Sequence, residues 1–189
     1  TPGTFVVGRL VTLLLGLAVV WLVYLTTRQL YDDRWLALLA TLFAALSPTS
    51  MMHSHFITPD IPQVFWVMLA FWGAVKLYRH GGWVHYLVAG AAAGAAASTK
   101  YHGVLVLVAD LVAHVMRYGN DTDALLAPKL YAALLAGAIA FFAITPYALL
   151  DFDTFWKGIT YEGRHYTRGH LGMEGNTFGW YLAYLWRIE

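Results

Sequence analysis

The sequence predicts an all-α, polytopic transmembrane helical bundle, and three observations carry that prediction. Of 189 residues, 59% are hydrophobic and only 12% carry a charged side chain, whereas soluble domains are roughly 45–50% apolar and about 25% charged. A water-soluble fold must still keep its surface polar, so this composition belongs in lipid. The apolar residues also gather into successive runs, and the basic residues gather in the short connections between them.

A helix needs about 20 mostly apolar residues to cross a hydrocarbon core of roughly 30 Å. The run Phe5 to Thr27 is long enough alone. Trp35 to Ser47, Pro62 to Tyr78, Val84 to Ser98, Gly103 to Met116 and Lys129 to Leu150 follow, giving six expected spans. Residues 1–150 are thus read as the membrane bundle, 151–180 as an exoplasmic loop region, and 181–189 as the start of a further membrane helix. The fourth and fifth runs are short. They either span or fold back as a shallow hairpin, which would move Lys100 to the other side. The small residues of "AGAAAGAAAS" suit close helix packing more than contact with lipid. The chain opens at Thr1 and closes inside the aromatic run "FGWYLAYLW", which reads as a piece of a longer protein. The first run is too long for a cleaved signal peptide.

Loop charges set the orientation. "RQLYDDR", "KLYRHGG" and "MRYGNDTDALLAPK" carry Arg28, Arg34, Lys76, Arg79, Arg117 and Lys129, and all fall on one side if the spans alternate. The positive-inside rule assigns that side to the cytoplasm. The loop "PTSMMHSHFITPDIP" has no lysine or arginine and belongs outside with the turn "TKYHG" and the polar tail. Cysteine is absent, which excludes disulfides, thiolate metal sites and cysteine nucleophiles. A net charge of +1 without a concentrated basic face argues against nucleic acid as a partner.

The candidate chemistry collects on the outer side. Asp60, in "TPDIP", either caps the helix that starts there or serves as a fixed carboxylate that handles a hydroxyl proton. His53 and His55 stand two apart, which on an extended segment puts both on one side. With Asp60 they could hold a divalent metal, though exposed loop histidines are more often simply solvated. Arg9, inside the outer part of the first span, either snorkels to the interface or binds a lipid phosphate. Lys100, with Tyr101 and His102 beside it, repeats that pattern. Asp110 and His114, four apart, suggest a local structural pair. In the tail, Glu162, Arg164, His165, Arg168 and His170 mix with glycines and aromatics, a blend that suits a sugar as well as an ordinary interfacial loop.

Taken in order, "VVGRLVTLLLG", "RQLYDDRWLALLATLFAALSP", "TPDIPQVFW", "GAAAGAAASTKYHGVL" and "RHYTRGHLG" resemble the GT-C glycosyltransferases of family 39, which include protein O-mannosyltransferases and bacterial aminoarabinose transferases. The resemblance implies a GT-C bundle in a bacterial or archaeal plasma membrane. Its active site would face outside and move a sugar from a polyprenyl-phosphate carrier to a lipid, protein or glycan acceptor. It also implies an acidic catalytic motif in an outer loop preceding Thr1, so that this chain alone is expected to be inactive. Asp60 matches the family's second acidic position, and Arg9 and Lys100 match positions suited to the carrier phosphate. The rival readings are a secondary transporter, which would place its charges near the midplane, and a non-catalytic membrane subunit with Asp60 as a mere cap.

Overall fold

The computed structural model describes residues 2–119, 124–168 and 177–187, and among these every regular element is a helix. They divide into two compact units at the Thr145–Pro146 junction. In the first unit, α1 (Pro2–Tyr31) is followed by α2 (Arg34–Ala45), α3 (Pro48–Ser54), α4 (Asp60–His80) and α5 (Trp83–Thr99). A 3₁₀ turn over Tyr101–Val106 leads into α6 (Leu107–Tyr118), and α7 (Pro128–Ile144) closes the unit.

Local chemistry sets the boundaries. Asp33 caps α2, its carboxylate accepting from the Trp35 and Leu36 amides at 2.7 and 3.0 Å. Ser47 and Pro48 then start α3, and the α2–α3 pair bends by 57°. Gly81 ends α4 in the left-handed region at φ 64°, where a side chain would be strained. Pro146 cannot continue α7, so the run expected to reach Leu150 stops at Ile144.

All six apolar runs are helical, but among the described residues two helices, α1 and α4, are each long and apolar enough to cross a membrane. The bent α2–α3 pair makes a third if it is one span, and α7 is a shorter apolar helix. The 17 residues of α5 would extend roughly 25 Å. Its small side chains are buried against neighbouring helices: Gly90 lies on the Ala133 backbone of α7 and Gly94 on that of Gly137, leaving no room for a Cβ.

The helices nevertheless run from one end of the unit to the other. At one end, basic side chains hold helix C-terminal carbonyls, where a cation meets the negative end of the dipole. Arg79 donates to the Leu30 carbonyl, Arg117 to that of Tyr78 and Lys129 to that of Gly81, each at 2.8 Å. Above them Ala74, Leu77, Tyr86, Ala113 and Ala133 form one buried cluster. Ala70, Ala92 and Ala93 form the next, packed by Trp66, Leu69, Val106 and Leu107. Lys100 and Asp60 meet at the opposite end. The α5–α6 pair therefore runs from the Gly81 end of α4 to its Asp60 end and back to Tyr78. Large apolar side chains on the outside, among them Phe5, Leu14, Trp21, Leu135 and Ile139, are exposed, as lipid-facing positions would be.

Asp110 and His114 do not pair. His114 is fully buried and its Nδ1 lies 2.6 Å from the Tyr86 hydroxyl, while neither carboxylate oxygen of the buried Asp110 has a hydrogen-bond partner among the described residues.

The second unit contains α8 (Tyr147–Leu150), α9 (Phe152–Arg168) and α10 (Thr177–Arg187). The stretch expected to be a loop region is thus helical over Phe152–Arg168. Phe152, Phe155, Trp156 and Ile159 fall on one face of it, a helical period that the interspersed polar residues and glycines obscure in a reading by apolar runs.

Candidate functional site

Asp60 opens α4, but its carboxylate does not cap that helix: the N-cap position is Pro59 and no side-chain cap bond is made. The carboxylate reaches across the bundle instead. Lys100 Nζ donates to Asp60 Oδ1 at 2.5 Å, and both side chains are about one-third exposed. Lys100 gets there because α5 ends on it: its backbone is extended at φ −146°, ψ 134°, and the turn is closed by the Gly103 amide donating to the Lys100 carbonyl at 2.8 Å. The second oxygen, Oδ2, faces His53 Nδ1 at 3.3 Å, a contact within ion-pair range that is not aligned as a hydrogen bond. Asp60 is therefore held from two sides, at the positive end of the α4 dipole.

Arg9 lies at the same end. Ile57 packs on Gly8 and Ser54 on Gly16, so the α3–α4 connection rests on the first half of α1. Arg9 shares a hollow of about 330 Å³ with Ser54, His55 and Phe56. That hollow has Leu13, Ser54 and His55 in common with an apolar cavity of about 290 Å³ lined also by Leu17, Val20, Ala45, Ile61 and Val64. Arg9 makes no ion pair among the described residues.

The other expected residues are distributed differently. Tyr101 follows Lys100 but lines a separate apolar cavity of about 340 Å³ with Gly94, Leu134 and Phe141, and His102 is exposed. His53 and His55 do not act as a pair. His53 stands in a helix, where residues two apart point in different directions, and His55 Nδ1 is 2.7 Å from the Met51 carbonyl. A divalent metal does not fit these donors: among the described residues no three of His, Cys, Asp and Glu converge, and the Lys100 ammonium already holds Asp60 Oδ1. Glu162, Arg164 and His165 lie on α9, with His165 stacked on Tyr161 at a centroid distance of 6.3 Å. Arg168 ends that helix, its side chain outside the described residues, and His170 lies outside them altogether.

A reading by motif missed Gln63. It is buried one turn after Asp60, its Oε1 has no hydrogen-bond partner among the described residues, and its Nε2 packs beside Gly103 in the Lys100 turn. The signal was a lone amide inside an apolar run directly after "TPDIP".

The family described as dolichyl-phosphate-mannose-protein mannosyltransferase matches residues 3–148, the whole of α1 to α7 but for its first residue. The chain belongs to that family. Neither a curated protein nor a solved structure matches it. As a mannosyltransferase-family protein it is a membrane glycosyltransferase of the mannosyltransferase type, with a sugar donor and an acceptor as its substrates. The matched region of this mannosyltransferase-family chain holds Arg9, His53, Asp60 and Lys100, whereas α9 falls beyond it.

Proposed function

We propose that this chain forms the carrier-phosphate site and one acidic position of a glycosyltransferase that takes its sugar from a polyprenyl-phosphate donor at the exoplasmic face of a bacterial or archaeal plasma membrane. The observation that carries the reading is the Lys100–Asp60 ion pair at the same end of the bundle as Arg9. When the sugar leaves, the carrier phosphate gains negative charge. Cations placed at its oxygens stabilise that charge more in the transition state than in the ground state. Arg9 suits a phosphate because its planar fork can donate two bonds at once. The adjoining apolar cavity offers a place for the first isoprene units of the carrier.

Asp60, fixed between Lys100 and His53, is suited to orienting the acceptor hydroxyl. A carboxylate already engaged by an ammonium is a weak base, so Asp60 is assigned an orienting role and not that of principal proton acceptor. The exoplasmic placement rests on charge: Arg79, Arg117 and Lys129 hold helix ends opposite the Asp60 end, and basic loops face the cytoplasm. A transporter would gather its charges near the midplane, and a simple cap would turn the Asp60 carboxylate onto its own helix.

The test is sugar transfer from a polyprenyl-phosphate hexose by the full-length enzyme in membranes. Asp60→Asn should lower turnover by about 100-fold, as loss of acceptor positioning does, with expression and insertion intact. Transfer at the unmodified rate would remove Asp60 from the mechanism.

A further inference from the structure

A polar hollow lies at the end of the bundle opposite Asp60 and Lys100. It has a volume of about 560 Å³ and is lined by Leu30, Tyr78, Arg79, Met116 and Arg117, where the last turns of α1, α4 and α6 come together. Both of its guanidiniums are fixed. Arg79 Nη2 donates to the Leu30 carbonyl and Arg117 Nη1 to that of Tyr78, each at 2.8 Å, and the Arg117 guanidinium lies where a Cβ on Gly81 would stand. A guanidinium has more N–H donors than one carbonyl can use, so each arginine is held in place with donors to spare. Neither is in an ion pair among the described residues. The acids that follow α1 are engaged elsewhere: Asp32 pairs with Arg28 at 3.5 Å, and Asp33 caps α2. Two full positive charges outweigh the roughly half-charge at each helix C-terminus, which leaves the hollow net positive.

We propose that this hollow binds the phosphodiester headgroup of an anionic phospholipid in the adjacent leaflet, a lipid that is not a substrate of the transfer reaction. The ligand class follows from what surrounds the charges. Leu30, Tyr78 and Met116, which line the hollow with the arginines, are all exposed, Met116 at 60%, so an anion bound here has hydrocarbon beside it. The hollow also lies at headgroup height. Tyr31 and Trp83 are exposed at the same end, and the Lys76 and Lys129 ammonium groups stand over the Trp72 and Trp83 rings at 5.6 and 5.9 Å; such rings and such snorkelling lysines gather at the membrane–water interface. A planar guanidinium takes two phosphate oxygens at once, and basic pockets between membrane helices suit lipid headgroups. Because carbonyls already hold both arginines, little side-chain freedom is lost when the anion arrives. A bound headgroup would tie the ends of α1, α4 and α6 together.

The test is native mass spectrometry of the full-length protein in detergent, titrated with phosphatidylglycerol or with phosphatidylcholine of the same chain length, and with inorganic phosphate as competitor. Phosphatidylglycerol should bind several-fold more tightly than phosphatidylcholine and should not be displaced by inorganic phosphate. Arg79→Gln and Arg117→Gln should each weaken phosphatidylglycerol binding by about fivefold, whereas Arg28→Gln, at the same end but outside the hollow, should leave it unchanged. Since both arginines also hold helix ends, Met116→Glu supplies a variant that keeps their carbonyl bonds. It puts a carboxylate into the hollow and should weaken binding as much, while Met116→Gln should not. Equal affinity for the two lipids, or unchanged phosphatidylglycerol binding in Met116→Glu and both arginine variants, would overturn the proposal. Ready displacement by inorganic phosphate would mean that the hollow takes the free anion, which overturns it as well. None of these readings depends on whether sugar is transferred.

Discussion

Lys100 and Asp60, 40 positions apart in the chain, meet at 2.5 Å across two helices at one end of the bundle. The pair joins the end of α5 to the start of α4, and it takes the Asp60 carboxylate away from capping its own helix. Since both side chains are about one-third exposed, the pair contributes little to folding, about 1 kcal/mol at most. Lys100→Ala should therefore leave the melting temperature of the detergent-solubilised protein within a few degrees of its starting value, yet cut transfer sharply. A collapse of the melting temperature with the residual activity per folded molecule unchanged would make the pair structural.

Close packing between α5 and α7 predicts a glycine contrast. Gly94 lies against the Gly137 backbone, whereas a Cβ at Gly163 on α9 would meet nothing within 4 Å. Gly94→Ala should destabilise by about 1–3 kcal/mol, and Gly163→Ala should be neutral or stabilising by up to about 1 kcal/mol. Thermal unfolding of the two variants side by side measures the difference.

The buried Tyr86–His114 bond predicts a polar penalty. Tyr86→Phe deletes the hydroxyl at 2.6 Å from His114 Nδ1 in a site where both residues are fully buried. The loss should be about 1–3 kcal/mol, because the ring nitrogen is left without its partner. Equal stability of Tyr86→Phe and the parent would show that another group satisfies that nitrogen.

Sidedness is checked by labelling intact cells. A cysteine at Ser54, on the Asp60 end, should react with a membrane-impermeant maleimide from outside, and one at Gly119, after the Arg117 end, only after lysis. The reverse pattern would invert the orientation drawn from the basic loops.

Much of this arrangement was legible in the residues, because lipid demands it. Composition and run length pointed to helices, and α1 formed over the longest run, Phe5 to Thr27. Breaks at Pro48 and Pro146 follow from the ring's missing N–H, although a count of apolar residues alone ran through the second to Leu150. The Lys100–Asp60 contact was not legible, since nothing local in "TPDIP" distinguishes a cap from a side chain reaching another helix. The histidine pair misled for a definite reason: a spacing of two shares a face in a strand, and His53 stands in a helix. In α9 the helical period was present, but glycines at 158 and 163 and the mixed charges hid it from a search for apolar runs.

The central claim is that Arg9 and Lys100 bind the phosphate of a polyprenyl carrier beside Asp60. Equilibrium binding of a polyprenyl phosphate to the full-length enzyme in detergent or nanodiscs tests it most directly. Each of Arg9→Ala and Lys100→Ala should weaken binding by about tenfold or more, as loss of a charge-assisted hydrogen bond of roughly 1.5–3 kcal/mol requires. Unchanged affinity in both variants, with the fold intact, would contradict the account.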